Sequence, residues 1–169
     1  LRHAASGRYE LVWTDRFDPV RARILNVPTL GCGYNWHDVV LHDAEPVGKR
    51  LREGRPLSVF QALARLEPSP YRSWGVSIRA PAEADATALV ELVHAEDRHA
   101  EDWTESIEAL CDECAREEPH EHPEPRPASW RPERRFGIAI ERAEGARELL
   151  ERWAAGGLGR EFDEIQSGE

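Results

Sequence analysis

Residues 74–94, WGVSIRAPAEADATALVELVH, decide the fold class. Trp74, Val76 and Ile78 alternate with Gly75, Ser77 and Arg79, the period-two pattern of a strand with one buried face. Pro81 then falls where a helix can begin, its fixed φ suiting a first turn. Ala86, Leu89, Val90 and Val93 follow at helical spacing. The same pair of signals returns downstream. Phe136, Ile138 and Ile140 alternate, and Ala146, Leu149, Leu150 and Trp153 form a helical apolar face stopped by Gly156-Gly157.

Between these two units a second helix is expected. Asp102 with Glu105 three residues on marks its start, and Trp103, Ile107, Leu110, Cys111 and Cys114 fall along one face. Residues 119–132 hold five prolines, which exclude regular helix or a central strand and predict a linker or crossing loop. Toward the N-terminus, Tyr9, Leu11 and Trp13 alternate as a strand, Thr14 to Pro19 reads as a turn, and a second strand runs from Val20 to Val27. A loop built on Gly31-Cys32-Gly33 spans Pro28 to Trp36, and a third strand covers His37 to Leu41. Leu57 to Leu66 carries two signals, a Ser58/Gln61 capping box and strand alternation, with the strand favoured. The expected class is α+β: an N-terminal antiparallel sheet followed by a β-α-α-β-α half, open to a ferredoxin-like arrangement. One domain, 1–169, accommodates this, with a β-rich part over 1–70 and an α/β part over 71–169.

Asn26-Val-Pro28, Gly31-Cys-Gly33 and Asp38-Val-Val40 together resemble the N-V-P, Gly-containing loop, G-D-V-V pattern of a small bacterial domain family of unknown function. In that family a strand pair with a Ser-Gly-x-Ser-like turn follows, where this chain has Pro68-Ser-Pro70-Tyr71-Arg72-Ser73. The resemblance covers the first half of the chain and implies a β-rich N-terminal portion. It implies no activity.

Charge is distributed unevenly. Residues 83–125 contain fifteen Asp or Glu against Arg98 and Arg116, a balance of −13, while the rest sums to +3 and the whole to −10. Lys49 is the sole lysine beside 21 arginines, which reads as a GC-rich, bacterial genome. The arginines are scattered and the net charge opposes a phosphate backbone, so no nucleic-acid partner is expected. No apolar run is long enough to span a membrane and no signal-peptide pattern opens the sequence, so a cytoplasmic protein with no membrane partner is expected. Three cysteines make no disulfide framework.

Several constellations have chemistry to offer. Cys111-x2-Cys114-x5-His120-x-His122 supplies two thiolates and two imidazoles, enough for a tetrahedral zinc site if the chain turns back, with Glu117, Glu118 or Glu121 as a nearby base. The competing reading, given more weight, packs both cysteines on their helix's apolar stripe. The strand His37-Asp-Val-Val-Leu-His42-Asp43 offers His37 with Asp43 on one side and Asp38 with His42 on the other for base work, with Cys32 nearby; a packed loop thiol is the favoured reading of Cys32. Glu91-x-x-His94 is the unit used by di-iron carboxylate bundles, but it is the one such unit in a credible helix where those centres need it twice, so His94 reads as a solvated or edge residue. Trp36 and Trp130 fall in expected loops as either anchors or core plugs.

The acidic stretch includes like-charge pairs four residues apart, Glu101 with Glu105 and Glu113 with Glu117, each costing a few tenths of a kcal/mol. A one-sign surface of this kind fits a cationic counterpart. The expected function is therefore a small acidic binding protein, of the immunity or inhibitor type, that docks a basic protein through residues 83–125, with Glu101, Glu105, Glu108 and Asp112 in contact. The alternative is a zinc-binding enzyme or metal-dependent regulator using Cys111, Cys114, His120 and His122. Neither reading fixes the oligomeric state.

Overall fold

Alternation near the N-terminus produces short strands, and tertiary pairing sets their limits. The computed structural model describes residues 1, 10–52, 55–106, 108–109 and 129–168. The chain runs through β1 (Glu10–Leu11), β2 (Thr14–Arg16), β3 (Arg21–Ile24) and β4 (Val39–His42). It continues through β5 (Gly48–Arg52), β6 (Arg55–Val59) and β7 (Ala62–Glu67). An antiparallel sheet forms in the order β2-β3-β4-β7. On β3 the alternation is clean: Ala22 and Ile24 are buried and Arg21 and Arg23 exposed. The ambiguous stretch Leu57 to Leu66 is strand throughout except for a break at Phe60-Gln61. Among the described residues β5 and β6 pair only with one another, as a two-stranded sheet.

The second half contains β8 (Arg72–Arg79), α1 (Glu83–His94), β9 (His99–Asp102), α2 (Trp103–Ser106) and β10 (Glu108–Ala109). It then adds β11 (Glu133–Ile140), α3 (Ala143–Ala155), β12 (Glu161–Phe162) and β13 (Gln166–Ser167). The architecture is mixed α+β, and every strand pairing among the described residues is antiparallel. The main sheet has the order β12-β8-β11-β9, with β13 also on β8. β8 and β11 pair over their full eight residues, Glu133 opposite Arg79 and Ile140 opposite Arg72.

The expected second helix needs correction. Asp102 caps a helix start, its Oδ1 accepting the Thr104 N–H at 2.9 Å, but the helix ends after one turn. Residues 99–102 before it form edge strand β9 against β11, and Glu108–Ala109 after it pair with Leu11 and Glu10 of β1. Long-range strand pairing prevails over local helix propensity here. Ile107, Leu110, Cys111 and Cys114, the rest of the expected helical face, lie outside the described residues.

One face of the main sheet is covered by α1 and α3. Phe136, Ile138, Ile140, Val76 and Ile78 from the strands pack with Leu89, Val93, Leu149, Leu150 and Trp153 from the helices. Each such side chain contributes roughly 1.5–3 kcal/mol by leaving water. Asp85 fastens the two helices. Its carboxylate accepts from the Ala82 N–H at the start of α1 and from Arg160 Nε at 2.8 Å, and its carbonyl accepts the Trp153 indole N–H at 2.7 Å. The Arg160 guanidinium accordingly holds the Asp85 carboxyl below the usual carboxylate range.

The other face of that sheet receives the N-terminal portion. Gly75 and Gly137 are register partners on β8 and β11 and leave a flat patch. Trp103 lies on it so closely that a Cβ at Gly137 would stand 2.3 Å from its ring, and one at Gly75 would stand 2.9 Å from the Leu30 Cδ1. A strand glycine marks a close approach of this kind. Trp103 then donates its indole N–H to the Val27 carbonyl at 2.8 Å, joining the halves, and Val27, Trp36, Trp103 and Ala139 form the core of the seam. Among the described residues no helix is long and apolar enough to cross a membrane.

Candidate functional site

At one end of this seam the loop before β4 is held by a buried carboxylate. Asp38 is fully buried; its oxygens accept the Asn35 N–H at 2.9 Å and the Ser69 N–H at 2.7 Å, with Arg65 Nη1 at 3.4 Å. Ser69 Oγ donates to the Trp36 carbonyl at 2.6 Å, and the Trp36 indole donates to the Leu25 carbonyl at 3.1 Å. Together these contacts hold His37 at φ 67°, a left-handed conformation unusual for a side chain of its size. Strain of this order persists only where the surroundings over-determine it.

The consequence is a run of stacked rings across the seam. His37 lies on Trp36 with centroids 3.6 Å apart, Trp36 on His99 of β9 at 5.4 Å, and His99 on His94 at the end of α1 at 4.7 Å. Tyr71 leans on Trp36 at 4.7 Å. Burial, helped by the neighbouring imidazoles of His94 and His37, pushes His99 down to about 4. Burial and the Arg23 charge lower His37 as well. At neutral pH the stack therefore carries uncharged His99 and His37. Near-parallel ring planes do not turn several nitrogens toward one point, and among the described residues no group of three or more His, Cys, Asp or Glu is placed to hold a metal ion.

The pairs expected along 37–43 do not form. Asp38 is committed to the loop, and His42 sits buried with Nδ1 2.6 Å from the Asp43 carbonyl and its ring against Phe60. His37 stacks on Trp36, and Asp43 Oδ1 accepts the Glu45 N–H at 3.2 Å. Cys32 is a packed thiol, 6% exposed, pushed up to about 12 by burial, and holds no thiolate at neutral pH. Gly31 and Gly33 beside it have φ of 86° and 80°, the turn geometry expected of that loop. Trp36 and Trp130 are both plugs: Trp36 is buried, and Trp130 packs against the main core with its indole donating to the Ala80 carbonyl at 2.9 Å. Glu91 and His94 are exposed on α1, and His94 is taken up by His99.

The acidic stretch divides. Four of its described carboxylates meet arginines. Asp85 pairs with Arg160, and Glu96 with Arg98 and Arg152. Asp102 and Glu105 both pair with Arg134, at 2.5 and 2.6 Å. Arg134 is 6% exposed and lies over the Trp130 ring, a cation whose charge those two acids balance. Glu101 is half-buried, with Oε2 accepting the Val27 N–H at 2.8 Å; burial, with the Glu10 carboxylate adding to it, raises its carboxyl. Of the expected contact residues, Glu101 thus serves the seam and Glu105 a salt bridge while remaining exposed. Glu108 is placed on β10, and Asp112 lies outside the described residues, as do Cys111, Cys114, His120 and His122.

What remains outward is a stripe on α1. Glu83, Thr87, Glu91 and His94 are exposed along it, and Asp97 follows just beyond. Glu83, Glu91 and Asp97 enter no ion pair among the described residues. The concave surfaces are shallow and charged. One of about 470 Å³ lies between β8, β11 and β12, lined by Arg79, Arg135, Glu133, Glu161 and Asp163. Another of about 470 Å³ lies beside α3 at Glu96, Arg98, Glu148 and Arg152. No protein-family model, curated protein or solved structure matches the chain significantly.

Proposed function

We propose that this chain is an acidic, non-catalytic binding protein that docks a basic protein partner through the surface contributed by residues 83–125. The observation that carries the reading is the division of the acids. Arginines from β11, α3 and the segment after it balance the carboxylates nearest the core, while Glu83 and Glu91 line the outer stripe of α1 without a counter-charge among the described residues. A protein that needed no cation there would mix signs on that stripe. The chemistry of the interior agrees. Cys32 is held as a thiol, and among the described residues His37, His99 and His94 stack through Trp36 and one another without a carboxylate partner. An immunity- or inhibitor-type role in the cytoplasm, a ferredoxin-like reading of the β8 to β12 half, and the likeness of the Asn26 to Val40 block to a bacterial family of unknown function belong to the same proposal. The ferredoxin-like reading draws on the β-α-β-β-α-β succession of β8, α1, β9, β11, α3 and β12 and on their strand order.

The zinc reading of Cys111, Cys114, His120 and His122 rests on residue types and spacing and stands as the competitor. Binding of an arginine-rich peptide, followed by calorimetry at low and high salt, tests the docking reading. Affinity is expected to fall steeply with salt and to drop in Glu83→Arg/Glu91→Arg. Salt-insensitive binding, or binding that ignores those reversals, refutes it. Zinc content of protein purified without chelator, with Cys111→Ala as control, decides the competitor.

A further inference from the structure

The cation that this acidic surface awaits is present on the chain itself. β5 (Gly48–Arg52) and β6 (Arg55–Val59) pair with one another, and the sequence 48–59, GKRLREGRPLSV, holds Lys49, Arg50, Arg52 and Arg55 against Glu53, a net charge of +3. No other run in the N-terminal half concentrates positive charge so strongly.

The hairpin's surroundings are as telling as its charge. It is a two-stranded sheet to itself, and neither outer edge is paired among the described residues. Isolated hairpins are marginally stable in water and need a packing surface. Lys49, Arg55, Pro56, Leu57 and Ser58 are all exposed, Leu57 at 37%. Pro56 sits opposite Leu51 within the ladder and lacks an N–H, so strand addition along β6 is obstructed. On the β6 side docking must therefore go through side chains. Leu63 at 54% and Leu66 at 44% are also exposed on β7, which follows β6 after Phe60 and Gln61.

We propose that the β5–β6 hairpin is a docking arm, and that its occupant is the acidic surface of a second copy of this chain. The inference rests on the acidic face being a docking surface and names its partner. Charge complementarity selects the occupant: a +3 arm and a stripe bearing Glu83, Glu91 and Asp97, with no counter-charge among the described residues, reside on one sequence. A two-fold arrangement lets each copy's arm meet the other's acidic face, so both contacts form at once and the assembly closes. Lys49 and Arg55 face Glu83, Glu91 and Asp97 of the other copy, and Leu57 contributes apolar contact.

Sedimentation equilibrium of the full chain over a range of concentrations, at low and high salt, measures the self-association. A dimer that dissociates with salt is expected. Lys49→Glu/Arg55→Glu, which turns the hairpin's net charge to −1, and Glu83→Arg/Glu91→Arg should each weaken it roughly tenfold or more, because each sets like charges against one another. Equimolar mixing of the two variants should restore a heterodimer, a readout that a folding defect in either variant does not produce. A monomer at every concentration and salt overturns the proposal, including the case in which the arm rests on its own chain. A dimer indifferent to both reversals overturns it too. The acidic-face reading is judged separately, with a synthetic peptide of residues 47–59 as probe. If the peptide binds the acidic face while the chain stays monomeric, the second copy is wrong and the docking face survives; if neither associates, both fall.

Discussion

The two halves of the molecule solve the problem of burial differently. The β8 to β13 half closes a sheet under two helices and buries Phe136, Ile138, Leu89, Leu150 and Trp153 almost completely. In the β2-β3-β4-β7 sheet the buried cluster is Ala22, Ile24 and Val40, while Trp13, Phe17, Leu25, Leu63 and Leu66 remain substantially exposed. Hydrophobic stabilisation scales with area removed from water. The first half therefore depends on the second, through the seam at Val27, Trp36 and Trp103. The proposed docking arm thus lies in the half with the thin core, and the acidic stripe of α1 in the half with the thick one.

The largest test of this contrast is Phe136→Ala. Phe136 is 0% exposed on the central strand pair, and its removal should cost about 3–5 kcal/mol, read as a lowered urea midpoint for the whole chain. Retention of the wild-type midpoint would mean that the second half is not the scaffold. Gly137→Ala addresses the seam. The new methyl would collide with the Trp103 ring, and a loss of about 1–3 kcal/mol is expected, with a shift in tryptophan emission as the Val27 hydrogen bond breaks. Hydrogen exchange should then rise over residues 21–42 before it rises over 133–140. Simultaneous loss of protection in both stretches would contradict the dependence of one half on the other.

The smallest effect is in pH. His99 is held below its ordinary 6.5 in the folded chain, at about 4, so the unfolded chain binds the proton more readily between those values. Its contribution to stability is complete above about pH 6.5 and declines as pH falls toward 4. Wild-type protein should lose about 1 kcal/mol between pH 7 and pH 5 through this half-buried ring, screening by solvent included. His99→Phe, which keeps the stack without the titrating nitrogens, should flatten that loss; an unchanged slope would assign it elsewhere.

In the second half β8, α1, β11 and α3 were legible in the sequence because burial imposes a period, as at Trp74, Val76 and Ile78 or along Ala146 to Trp153. β9 was not. His99-Ala-Glu-Asp102 buries only Ala100 fully and has no apolar rhythm, so its pairing with β11 is fixed by the sheet rather than by composition. The seam was hidden for a different reason. Gly75 and Gly137 act through the side chain they lack, and interrupted strand patterns were the one trace of it. The ring stack joins residues 36, 37, 71, 94 and 99 from four segments, which no local spacing can reveal. The division of acids into paired and unpaired was equally out of reach, since Arg134, Arg152 and Arg160 lie tens of positions downstream of their partners.

The outer edge of β8 is closed by two short pieces set end to end. β12 covers Ile78 and Arg79, β13 covers Trp74 and Gly75, and the Asp163 N–H bridges to the Ser77 carbonyl at 2.9 Å between them. Synthesis proceeds from the N-terminus, so a growing chain displays that strand's open hydrogen-bonding row until residues 161–167, roughly eighty positions later, have emerged from the ribosome. During that interval the row is a template for any extended segment nearby. Residues 161–167 thus act as a late clasp, and a chain halted before them would leave the ribosome in an adhesive form.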